Sequence, residues 1–265
     1  MAACALVFAQ VVGHAGDGAG QAEEAVKADV PLNVLMLTGG CCHDYDTQKV
    51  ILSNGISERA NVEFKIVREG GEGHSHQFEM LSEDGWEKEF DAVLYNICFA
   101  REDDVEYIER ITDTHKAGLP AVAIHCTLHS HHWRADTDSW VRFIGVTSPN
   151  HGPHKPITMT PVLPEHPVMK GFPESWTTPK GELYNIDKVW PTATVLAYGD
   201  NGDRNQPCVW VNQFGETRVF GTSVGHHNET MAEPVYLDLV TRGLLWATEK
   251  LTDDGKPVAG MEPGE

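Results

Sequence analysis

Positive charge is scarce in this chain. Its 265 residues carry 20 Lys and Arg against 39 Asp and Glu, a formal net charge of −19, and such a surface repels phosphate backbones and anionic membranes. Nucleic acid is therefore not an expected partner. The run Ala3–Val12 (ACALVFAQVV) is too short to span a bilayer. No later stretch is long and apolar enough for a membrane helix, so no membrane span is expected. Nucleotide signatures are missing as well. The glycine-rich stretch Gly70–Phe78 (GGEGHSHQF) lacks the Gly-Lys-Ser/Thr ending of a phosphate loop, and no strand is followed by Gly-x-Gly-x-x-Gly, which disfavours nucleotide and dinucleotide cofactors. Six cysteines with no CxxC pair do not make a disulfide framework in a chain this long. Buried free thiols are the expectation, with a pairing such as Cys42 with Cys98 left open for an exported protein.

What is present starts with an unusual N-terminus. Ala3–Val12 is followed by small residues at Gly13–Ala15 and Gly18–Gly20, which resembles a secretory signal over residues 1–19. No Lys or Arg precedes Lys27, so the usual positive start is absent. Residues 20–31 read as a leader, 32–249 as one domain and 250–265 as a polar tail. Export to the periplasm or the exterior is the expected location, a cytoplasmic one the alternative.

From Asn33 onward, short apolar runs alternate with helical patterns. Asn33–Thr38, Val62–Val67, Asp91–Asn96 and Ala121–His125 read as strands; Asp46–Ala60, Leu81–Phe90 and Asp103–Ala117 read as helices. Strands separated by helices of this length predict an α/β fold with a parallel sheet sandwiched by helices. The second half is richer in strands, at Ile157–Pro161, Thr194–Tyr198, Pro207–Asn212 and Arg218–Thr222, before a last helix over Pro234–Thr248. Ligands gather at the carboxyl ends of parallel strands. Here those ends are Gly39–Asp44, Asn96–Arg101 and His125–His132, which carry cysteines, histidines or both.

Several stretches carry a resemblance. Gly39-Gly40 with His43, the strand ending at His125, EHPVMKG (Glu165–Gly171), GELY (Gly181–Tyr184) and VWVNQFGETRVFGTSVGHH (Val209–His227) before a helix ending in GLLWA together resemble the trehalose-utilisation, or ThuA-like, family over roughly residues 32–249. The resemblance implies the flavodoxin-like sheet of class I glutamine amidotransferases and an association with carbohydrate metabolism. Those amidotransferases place a nucleophilic cysteine at a Gly-x-Cys-x-Gly elbow. The matching stretch here is Ala123-Ile124-His125-Cys126-Thr127, with the histidine at the elbow and the thiol one residue late. Glutaminase chemistry is not expected.

An imidazole at that position can serve as a general base or as a metal ligand. Two readings follow. In the first, the protein is a hydrolase or isomerase acting on a sugar or keto-sugar, with His125 and Glu182 catalytic and Gly40, His43, Tyr184 and His226 binding substrate. A divalent metal, zinc by ligand chemistry, would draw on His125, His151, His154 and His226. In the second, the protein is a non-catalytic carbohydrate- or metal-binding protein on the same scaffold. A small-molecule carbohydrate is the expected partner in both, and the sequence leaves the oligomeric state open. The bland alternative for the CTLHSHHW stretch (Cys126–Trp133) is a surface helix with Trp133 packed inward and His131 and His132 solvated, and His166 before Pro167 can simply fix a turn.

Overall fold

The computed structural model describes Met1 and residues 30–263. The expected signal and most of the leader, with Cys4, lie outside the described residues. Alternating burial builds the first strand, β1 (Leu32–Gly40). Its Val34 and Met36 enter one core while Leu35 and Leu37 enter another on the opposite face, the two-residue period of a strand covered on both sides. Helix α1 (Tyr45–Ser57) and the last helix, Pro234–Ala247, cover the first face. Helix α2 (Val105–Lys116) and the short helix Ser139–Ile144 cover the second. Asp44 and Asp104 cap α1 and α2, each side chain accepting a backbone N–H three residues on.

The main sheet has nine strands. With β2 (Val62–Arg68), β3 (Ala92–Cys98) and β4 (Ala121–Ile124), the order runs β2-β1-β3-β4 and then Thr217–Thr222, all parallel. Asn205–Phe214, Ala193–Asp200, Thr158–Pro161 and Trp176–Thr177 extend it antiparallel. The parallel part is the flavodoxin-like order of amidotransferase-type folds, and the antiparallel part is the strand-rich second half. A separate pair, Asn150–His154 with Glu182–Asn185, stands apart from the main sheet.

Three local expectations are corrected. Leu81–Phe90 is two single turns, Glu79–Ser82 and Trp86–Glu89, because Gly85 breaks the run with φ +80°. The segment after His125 is a five-residue turn of helix over His125–His129 followed by tight turns. Ser130 Oγ takes the Phe99 N–H at 3.0 Å and ties this segment to the end of β3. His131 is consequently buried edge-on against Trp140 rather than solvated, and Trp133 is 49% exposed rather than packed inward. Residues beyond the last helix fold back, with Met261 buried and its carbonyl accepting the Asn61 N–H.

Cysteine is the third correction. Cys41 pairs with Cys42 and Cys98 with Cys126, and Cys208 is the free buried thiol among the described residues. The sequence spacing hid this because β1, β3 and β4 are neighbours in space and bring distant strand ends together. His166, by contrast, accepts the Val168 N–H and fixes the turn at Pro167.

Candidate functional site

The carboxyl ends of β1, β3, β4 and Thr217–Thr222 meet at one edge of the sheet. His43 leaves β1 on a turn that begins at Gly40, whose φ of +105° and contact with the Cys98 carbonyl admit no side chain. His125 follows β4 directly and holds φ +47°, in the left-handed region where a non-glycine residue is strained. The elbow of the fold is therefore present, with an imidazole on it. Ser223–His226 follow the last parallel strand, and Gln48 Nε2 donates to the His226 carbonyl at 3.1 Å to hold that loop. Glu182 arrives from the separate strand pair and is 4% exposed.

Four ligand atoms converge there. His43 Nε2 lies 3.1 Å from His226 Nδ1, and His125 Nε2 lies 3.4 Å from it. Glu182 Oε2 is 3.3 Å from His125 Nε2 and 3.2 Å from His226 Nδ1. In a tetrahedral zinc site with bonds near ~2.0–2.1 Å, ligand atoms stand roughly 3.3–3.4 Å apart. The cluster has that spacing.

Tautomers sharpen the point. His125 Nδ1 lies 2.7 Å from the Ser223 carbonyl, and His43 Nδ1 lies 3.2 Å from the Cys41 carbonyl. A carbonyl only accepts, so His125 Nδ1 carries the proton and its Nε2 presents a lone pair to the centre, while His43 Nδ1 also meets the Tyr45 hydroxyl at 3.0 Å, a group that can donate or accept. One proton on His226 Nδ1 can satisfy a single neighbour. The cluster thus aims more acceptors than donors at a buried point, which is costly unless a cation sits among them. Imidazole bonded through its outer nitrogen to a backbone carbonyl is also the usual support of a metal ligand.

Electrostatics agree. Burial, then the neighbouring His125 and His226, lowers the His43 pKa to about 2, and burial likewise lowers that of His125. Burial pushes the Glu182 carboxyl up, but the neighbouring His125 and His226 pull it well below the usual range. The lowered His43 and His125 are neutral imidazoles of the kind a divalent cation requires.

The second oxygen of Glu182 has its own partners. His154 Nε2 lies 2.8 Å and His151 Nδ1 3.1 Å from Oε1. Tyr184 lies beneath as a fully buried floor, stacked on His129 at 4.0 Å and against His125 at 4.4 Å. An inner pocket of about 150 Å³ at this cluster and an outer cleft of about 830 Å³ share His43, His74 and His226. Asp44, Arg68, Lys180 and Glu229 line the outer cleft, which is therefore polar and large enough for a small molecule.

The profile of the ThuA family, described as trehalose utilisation, matches residues 35–247. The chain belongs to the ThuA family. No curated protein matches it in sequence. Among solved structures, a ThuA-like protein from Parabacteroides merdae superposes with a TM-score of 0.68 at 19% identity, covering 88% of this chain and 97% of that one. One from Bacteroides uniformis gives 0.63 at 15%, covering 88% and 98%. A protein described as cytoplasmic, from Salmonella typhimurium, gives 0.54 at 15%, covering 82% and 99%. At such identities the likeness is one of fold.

Within this ThuA chain, His43, His125, Glu182 and His226 form the central group. His151 and His154, expected among the metal ligands, instead stand on the opposite carboxylate oxygen, and His154 also joins His226 and His227 in a second, outer group. Gly40 shapes the turn and Tyr184 the floor. Sequence reasoning missed Ser223, whose carbonyl orients His125, because a backbone atom leaves no trace in residue type. Trp133, one of the tryptophans that could supply a sugar-stacking face, lines the inner pocket. No helix among the described residues is long and apolar enough to cross a membrane.

Proposed function

We propose that this ThuA-family chain is a metal-dependent enzyme of carbohydrate metabolism, a hydrolase or isomerase acting on a sugar or keto-sugar. The observation that carries this reading is the convergence of His43 Nε2, His125 Nε2, His226 Nδ1 and Glu182 Oε2 within 4.8 Å of one another at the ligand edge of the sheet. Zinc suits three imidazoles and a carboxylate, and when bound it would take a water or a sugar oxygen as a fifth ligand, polarising the oxygen or lowering the pKa of the water. The chain's residues supply the rest. His125 offers a lone pair fixed by its bond to the Ser223 carbonyl, and His43 is held by the Cys41 carbonyl and the Tyr45 hydroxyl. Glu182 balances the charge and is oriented by His151 and His154 on its other oxygen. His154, half exposed beside the outer cleft, is placed to carry a proton between Glu182 and solvent. Asp44, Arg68, Lys180 and Glu229 provide donors and acceptors for hydroxyl groups.

The test is a substrate screen over glycosides and keto-sugars with protein purified without a histidine tag. Turnover of at least one compound, abolished by chelation and restored by zinc, is expected. Turnover indifferent to chelation removes the metal from the reading. Sugar binding without any turnover makes the protein a carbohydrate-binding module.

A further inference from the structure

Beside the histidine cluster lies a second concentration of ligand atoms. The adjacency of β1, β3 and β4 delivers Cys41 and Cys42, Cys98, and Cys126 to one spot, and all four line the inner pocket. Gly40 is opposite Cys98 in the β1–β3 register, and the Cys41 N–H donates to the Cys98 carbonyl at 3.3 Å. Across the two pairs, Cys41 Sγ is 3.5 Å from Cys98 Sγ. The sulfurs of Cys41, Cys42 and Cys98 all lie within 4.8 Å of one another. Thiolates around a zinc-class cation, with bonds near ~2.3 Å, stand roughly 3.8 Å apart in a tetrahedral site.

A purely structural role explains the Cys41–Cys42 pair poorly. A bond between residues adjacent in sequence closes almost no loop, so Cys41–Cys42 constrains the unfolded chain hardly at all. Cys42 moreover holds φ +81°, a left-handed conformation kept at cost in a non-glycine residue. That conformation turns two successive thiols toward Cys98 and the cleft. Cys41 and Cys98 are buried while Cys42 is exposed, so the group has an open side through which an ion could enter.

We propose that in the reduced protein Cys41, Cys42 and Cys98 form a thiolate site for a thiophilic cation, Zn(II) or Cu(I), beside the histidine–carboxylate cluster, whose His43 also lies within 4.8 Å of the Cys98 and Cys126 sulfurs. Soft sulfur ligands select such ions. In the paired state the sulfurs offer no thiolate. A dithiol reductant gives each pair two electrons and two protons, closing to its own cyclic disulfide and leaving two thiols. The cation then displaces three thiol protons.

The full chain is reduced with a dithiol under nitrogen, freed of reductant and titrated with Co(II) as the probe. A saturating sulfur-to-cobalt charge-transfer absorption is expected in the wild type, and equally in Glu182→Gln, which breaks only the histidine cluster, and in Cys208→Ser. Loss of the histidine-bound ion and loss of the thiolate band are thereby separated. Cys98→Ser should abolish the band. Cys42→Ser, at an exposed position that does not disturb the core, should remove one thiolate's share of it and weaken cobalt binding about tenfold or more. The proposal is overturned if the pairs resist reduction in the folded chain, if the reduced wild type gives no charge-transfer band, or if Cys42→Ser retains the band in full.

Discussion

His125 Nε2 stands 3.3 Å from Glu182 Oε2, and the opposite nitrogen of the same ring is 2.7 Å from the Ser223 carbonyl. The imidazole is thus held by a backbone acceptor, and its lone pair faces a buried carboxylate across the space a cation would fill. At φ +47° the position tolerates asparagine better than alanine. His125→Asn should therefore fold, with a melting temperature near that of the wild type, and lose turnover by about a hundredfold or more, some 2.7 kcal/mol of barrier. Steady-state kinetics beside thermal melts check this; an unfolded variant, or one with kcat intact, makes His125 a packing residue.

His154 touches the other oxygen of Glu182 at 2.8 Å and so acts through the carboxylate. His154→Ala should leave one zinc bound per chain but weaken its affinity by about 10- to 100-fold, the usual loss when the support of a ligand is removed. Competition with a chromophoric chelator measures this. Affinity equal to wild type counts against the role assigned to His154.

Gly40 and Gly118 both hold positive φ, yet their surroundings differ. A Cβ at Gly40 collides with the Cys98 carbonyl, whereas at Gly118 nothing lies within 4 Å. Urea unfolding should show Gly40→Ala costing more than about 2 kcal/mol and Gly118→Ala about 1 kcal/mol. Equal costs would mean that the turn after β1 can shift, and the placing of His43 would lose its basis.

Acid should destabilise the fold through buried histidines. Burial pushes His115 down to about 4 from its ordinary 6.5. Its Nδ1 donates to the Leu119 carbonyl and its Nε2 accepts from the Tyr95 hydroxyl, each at 2.7 Å. Between pH 6.5 and 4 the unfolded chain binds this proton and the native one does not, so stability is greatest above the window and falls as pH drops through it. The loss from this group alone is about 3 kcal/mol. Unfolding free energies at pH 7 and 4.5, with NMR titration of His115, provide the check; a ring that titrates near 6.5 in the native protein contradicts it.

Much of this architecture is legible in the sequence. The apolar runs of β1, β3 and β4 carry the two-sided burial of a parallel sheet, and strand ends announce where ligands collect. His43, His125 and His226 are visible for that reason, since each follows a strand. The less legible parts depend on neighbours far apart in the chain. Glu182 reaches the cluster from a strand pair that the main sheet does not include, and the exchange of His43 for His151 and His154 around its two oxygens is set by that pair's orientation. The Cys98–Cys126 pair is illegible for a similar cause: a spacing of 28 residues reveals nothing until β3 and β4 lie side by side. His131 and Trp133 exchange their expected environments because Ser130 pins the chain to β3, a side-chain bond that periodicity does not contain.

The central claim is that four atoms from four parts of the chain share one cation. Anomalous diffraction at the zinc edge, on crystals grown with zinc, tests it most directly. The account predicts a peak within ~2.0–2.2 Å of His43 Nε2, His125 Nε2, His226 Nδ1 and Glu182 Oε2, and its disappearance in Glu182→Gln crystals. No peak at this cluster with zinc present, or one undiminished in the variant, would contradict it.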